Sequence, residues 1–207
     1  MRILKEHFYD VVKLYINQVG ITIFSFFLYT ALPTENDSLF TTLRVIVSVF
    51  SILFYFALIH NVLWEIGAKD RIRIDSNRCE PQPIKGLFLS LFANAPNLIL
   101  ALTAIIFGII YVCGGVAWAS PVFVVVFIIV KIHAAMYMGV VQGVTPAAPA
   151  DALDIAVYTD ALMESVWFFV LPLVAIGLAQ LSYWLGTKEI KIFGFMSSGK
   201  PKDNSKK

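Results

Sequence analysis

Nine polar side chains interrupt otherwise apolar runs of this chain: Asn17 and Gln18, then His60, Asn61 and Glu65, then Asn94 and Asn97, and finally Lys131 and His133. In hydrocarbon each such group costs free energy unless it meets a partner, water or a ligand. Amides, imidazoles and one carboxylate can bind an ion or a polar molecule, or they can join helices by hydrogen bonds worth about 0.6 kcal/mol each. The second use is the preferred reading, and a ligand or ion site is the alternative. Catalysis has less support, because no nucleophile is paired with a base. His60 and Glu65 lie five residues apart and diverge by about 140° at ~100° per helical residue. The sequence also has no Cys/His spacing for zinc, no phosphate loop, no HExxH and no GxSxG. No catalytic residue, metal or cofactor is therefore expected, and the chain reads as a non-enzyme.

The elements that carry these groups follow from composition. Of 207 residues, 58% are hydrophobic and only 14% charged, with a mean hydropathy of +0.77. A soluble domain could not bury that much apolar side chain. A helix crosses the hydrocarbon core in roughly 20 residues, and five segments qualify by their apolar content: Tyr15 to Leu32, Leu39 to Ile66, Leu87 to Val112, about Val116 to Val141, and Ser165 to Gly186. The runs are continuous rather than alternating, which excludes a transmembrane barrel. The expected fold is all-α, a polytopic helical membrane protein with four or five complete crossings. Its helical domain covers residues 1–186, with a cytoplasmic loop at 67–86, an acidic amphipathic segment at 143–164 and a basic polar tail at 187–207. The charged lead-in to the first helix suits an uncleaved span rather than a signal peptide.

Orientation follows from the positive-inside bias. WEIGAKDRIRID, after the second apolar run, opens a stretch carrying Lys69, Arg71, Arg73, Arg78 and Lys85, whereas PTENDS before that run has no Lys or Arg. The basic stretch and the N-terminus are therefore placed in the cytoplasm. Those five cations suit contact with anionic lipid headgroups or a partner, and RIRID alternates as a small strand would. Five crossings would export the tail, yet it carries Lys188, Lys191, Lys200, Lys202, Lys206 and Lys207. The fourth segment resolves the conflict if it is kinked, re-entrant or incomplete, since PVFVVVFIIV ends at Lys131 and His133. Tail and loop then share a side.

Other features are structural. Pro96 in ANAPN interrupts the third span and predicts a kink, with freed carbonyls beside Asn94 and Asn97. Gly108, Gly114, Gly115 and Gly177 suit close helix packing. Asp151 is a candidate N-cap of the acidic helix. Cys79 and Cys113, at opposite ends of a span, are too far apart for a disulfide. A net charge of only +2, divided among membrane flanks, excludes a nucleic-acid surface.

Asn17-Gln18-x-Gly20, Trp64-Glu65-Ile66-Gly67-Ala68-Lys69-Asp70, Lys85-Gly86-Leu87, Asn94-x-Pro96-Asn97, Met136-Tyr137-x-Gly139 and Tyr183-x-Leu185-Gly186 resemble the recurring signatures of uncharacterised small multi-pass membrane proteins from clostridial, Gram-positive bacteria. The resemblance covers most of the chain. It implies a bacterial plasma-membrane location and no particular activity. Two function classes follow: an accessory or scaffold subunit packing with itself or a membrane partner, or a small transporter or channel with a polar site in the cytoplasmic half of the bundle.

Overall fold

The computed structural model describes residues 6–32, 37–78, 80–145 and 154–190. It is an all-α polytopic fold. The helices are α1 (Phe8–Thr30), α2 (Asp37–Asp75), α3 (Lys85–Val112), α4 (Ala119–His133), a 3₁₀ turn (Ala135–Tyr137), α5 (Met138–Val144) and α6 (Asp154–Thr187). Four of them, α1, α2, α3 and α6, are long and apolar enough to cross a bilayer.

The fourth apolar segment breaks. α4 ends at His133, and the chain turns by 78° before α5. The course of α6 shows what the turn accomplishes. Near its start, Tyr158 packs edge-on to Tyr111 at the end of α3, with ring centroids 4.5 Å apart. Near its end, Tyr183 donates a hydrogen bond to Asp70 at the opposite end of the bundle. The end of α2, the start of α3 and the end of α6 therefore meet at one end, called here the basic end. α5 lies at the far end, where the Gly139 amide meets Tyr29 near the end of α1. α4 thus enters from the far end, turns inside the bundle and returns, one of the forms (kinked, re-entrant or incomplete) that the charge pattern left open.

Several boundaries differ from expectation. α2 continues through residues 67–75, so most of the expected loop is helix and RIRID is helical. Outside the apolar run, ion pairs one turn apart support that extension: Glu65 with Lys69 at 2.7 Å and Asp75 with Arg71 at 2.9 Å. α3 runs through Pro96 without a break. Residues 154–164 are the first turns of α6 rather than a separate surface helix. Asp151, Cys79 and the tail beyond 190 lie outside the described residues.

Glycines set the closest helix approaches, though not all those expected. A Cβ on Gly67 would meet the Tyr183 carbonyl, and one on Gly186 the Trp64 carbonyl, so α2 and α6 cross backbone against backbone. A Cβ on Gly139 would strike the Arg44 carbonyl, which brings α5 equally close to α2. Gly108 packs tightly against Leu162 and Phe123, but Gly115 and Gly177 face open space and Gly114 meets its own helix at Ile110.

Candidate functional site

The polar side chains of the bundle form three groups, and the nine residues fall in the first and the third. Asn61 and Glu65 are exposed, and Glu65 pairs with Lys69 one turn along the same helix. His60 turns the other way and is buried. Its Nδ1 lies 3.1 Å from Ser182 Oγ and ties α2 to α6.

The basic end holds a buried ion pair. Asp70 Oδ2 accepts from Lys85 Nζ at 2.7 Å and from the Tyr183 hydroxyl at 2.9 Å. The two charged side chains are 8% and 6% exposed, so Lys85 is withdrawn from the surface role assigned to it with its neighbours. A cavity of about 30 Å³ adjoins the pair, bordered also by Glu6, His7, Arg73 and Glu80. α6 completes the joint from two positions. Gln180 donates to the Pro83 carbonyl at 2.6 Å and accepts from the Leu87 amide at 2.7 Å, satisfying the start of α3. Arg71 Nη1 donates to the Thr187 carbonyl at 3.0 Å, satisfying the end of α6. Lys69, Arg73 and Arg78 remain exposed.

The third group surrounds the turn of the re-entrant hairpin. A break in a helix frees backbone groups that must find new partners. Here Ser48 Oγ donates to the Met136 carbonyl at 2.9 Å. The Gly139 amide donates to Tyr29 OH at 2.7 Å and to Ser48 Oγ at 2.8 Å, and Tyr29 and Ser48 are themselves hydrogen-bonded. Thr22 Oγ1 donates to the His133 carbonyl at 3.1 Å. Lys131 and His133 therefore belong to this turn, not to a cluster with His60 and Glu65. Lys131 reaches Glu164 on α6 at 2.8 Å, and its ammonium lies 4.6 Å from the Phe127 ring centroid. At the far end Arg44 Nη1 donates to Gln142 at 2.9 Å, and its guanidinium covers the Phe40 ring at 3.8 Å.

Beside the turn, several buried polar atoms have no partner among the described residues: both amide atoms of Gln18, Ser51 Oγ, Asn94 Oδ1, Asn97 Nδ2, His133 Nε2 and the Tyr137 hydroxyl. Each orphaned buried group costs about 1–3 kcal/mol. Asn17, next to Gln18, is only partly buried. Asn94 is half satisfied, since its Nδ2 donates to the Ser90 carbonyl at 3.0 Å. Among the described residues no group of three or more His, Cys, Asp or Glu could hold a metal ion.

Residues absent from the sequence-derived site are as important as those present. Asp70, Tyr183, Gln180 and Glu164 had no local signal, since their partners lie far along the chain. Arg44 had one: it is the sole charge between Leu39 and Asn61. The chain matches no protein-family profile, no curated protein and no solved structure.

Proposed function

We propose that this is a non-enzymatic, multi-pass protein of a bacterial plasma membrane, acting as an accessory or scaffold subunit that packs with itself or a membrane partner. The N-terminus, the basic end and the end of α6 face the cytoplasm in this reading, in line with the positive-inside bias. The observation that carries it is the joint at the basic end. A buried ion pair, two helix-end bridges and glycine-mediated backbone contact hold α2, α3 and α6 together. A carrier that rocks one bundle against another needs such a seam to part. The exposed Lys69, Arg73 and Arg78 would meet anionic headgroups, worth about 1 kcal/mol each.

Purification from native membrane under mild detergent tests the reading. A stoichiometric membrane partner is the expected result, and a lone species that stabilises on adding a small solute would count against it. A second reading, a small transporter or channel, is supported by the unpartnered buried groups beside a discontinuous helix, since transporters place substrate at such breaks.

A further inference from the structure

The turn of the hairpin meets polar groups from α1 and α2. Tyr15, Gln18 and Thr22 recur at the spacing of one α1 face. The Tyr15 ring lies 6.1 Å from that of His133 and Thr22 bonds the His133 carbonyl, so Gln18, 1% exposed, stands between two residues that touch the turn. Ser48, Ser51 and Tyr55 likewise share one face of α2, and Ser48 bonds Met136 within the turn. Tyr55 lies beside Asn94 and lines one cavity with Tyr137. His7 just before α1 and Lys85 at the start of α3 line one cavity, so the two helices start at one level. Gln18, Asn94 and Asn97 then lie about 13–18 Å along their helices from the basic end, at one depth.

These groups have a common chemical character. The amides offer unmatched donors and acceptors together, the serine and tyrosine hydroxyls can serve as either, and His133 adds a ring nitrogen. The nearest charges answer each other instead, Lys131 with Glu164. A cation is disfavoured by the unmatched amide donors of Gln18 and Asn97, and an anion would want a free positive group. Mixed neutral donors and acceptors match a molecule that also carries both.

We infer that the turn of the hairpin, bordered by Gln18, Ser51, Asn94, Asn97 and Tyr137, is a binding site for small uncharged hydrogen-bonding molecules, either water or a solute of primary-amide type. It deepens the second reading above by naming a ligand class, and it also holds for a scaffold whose hairpin is satisfied from within.

Hydroxyl-radical footprinting with short X-ray pulses, on the full chain in lipid nanodiscs, tests the inference, because radicals formed from a bound water oxidise the side chain beside it. Tyr137 and Tyr55 are each 2% exposed, while Phe123 and Phe168 are each 1% exposed. The two tyrosines are expected to label several-fold faster than the two phenylalanines after correction for ring reactivity. Labelling of Tyr137 at the phenylalanine rate would overturn the inference. Acetamide distinguishes the sources: saturable protection of Tyr137 identifies a solute site, and its absence leaves water as the occupant. Protection by ammonium or chloride but not by acetamide would refute the neutral class. Gln18→Met, close in volume, and Asn97→Leu are each expected to slow Tyr137 labelling without slowing that of the distant Tyr158. Acetamide flux into vesicles is a separate measurement: labelling without flux keeps the site and discards transport.

Discussion

Lys85→Met would leave the Asp70 carboxylate buried with one donor in place of two. Removing one member of a buried ion pair costs about 3–5 kcal/mol, because the remaining charge has lost its counter-charge and cannot return to water. Two features place Asp70 at the lower end of that range. The Tyr183 hydroxyl still donates at 2.9 Å, and the adjoining cavity of about 30 Å³ has room for a water molecule. At about 2–4 °C per kcal/mol for a chain of this size, a loss of about 3 kcal/mol lowers the melting temperature by roughly 6–12 °C. Tryptophan fluorescence in detergent is a direct assay, since Trp64 and Trp184 lie on the helices joined there. The double variant Asp70→Leu, Lys85→Met is expected to recover most of the loss, apart from about 1 kcal/mol for the Tyr183 hydroxyl left without its acceptor. A single variant melting within about 2 °C of the wild type, or a double variant no better than the single, would show that the pair does not hold the helices.

Gly186→Ala drives a methyl group into the Trp64 carbonyl and is expected to cost at least about 1–3 kcal/mol, whereas Gly177→Ala, in open space, should be neutral or gain up to ~1 kcal/mol; equal melting points for the two would refute the close crossing of α2 and α6. Glu164→Gln removes the counter-charge of Lys131 and should increase protease cutting between α4 and α6 in nanodiscs, with Glu164→Gln, Lys131→Met returning it toward the wild-type rate. Cytoplasm-active and periplasm-active reporters fused in turn after Lys207 should give signal only in the cytoplasm, and strong periplasmic signal would sink the proposed orientation. Asn94→Leu should change stability by no more than about 1 kcal/mol if the residue only joins helices; a larger loss accompanied by faster lipid-side labelling would assign it to the polar interior instead.

The four long helices were legible because length and apolar continuity are local properties that lipid reads directly. The break was partly legible too: the apolar stretch before Lys131 is short, and a lysine-rich tail on the cytoplasmic side would call for an even number of crossings. What composition could not show was depth around each helix. Lys85 counts as a loop cation in a charge inventory, yet its partner Asp70 stands fifteen positions earlier on another helix. Asn61 and His60 are neighbours in sequence, yet one is exposed and the other buried, and a list of polar positions treats them as one cluster. Arg71 and Arg73 alternate with isoleucines as a strand would, but pairs one turn apart favour continued helix over two turns of solvent-side backbone. Glu164 was read as part of an acidic surface segment because its ammonium partner arrives through the hairpin, a long-range arrangement that no local period encodes.

The hairpin also imposes an order of events on biogenesis. α4 carries Lys131 toward the membrane interior before the ribosome has made Glu164, and at ~5–20 residues per second that interval lasts a few seconds. Tyr29 and Ser48 already exist by then, so the turn can be received by α1 and α2 while its lysine still waits for a counter-charge. α6 ends the wait and, through Tyr183 and Gln180, fastens the opposite end of the bundle at the same time. A chain halted before Glu164 would thus leave the Lys131 ammonium without its counter-charge, and completion of the last helix is the step that supplies it.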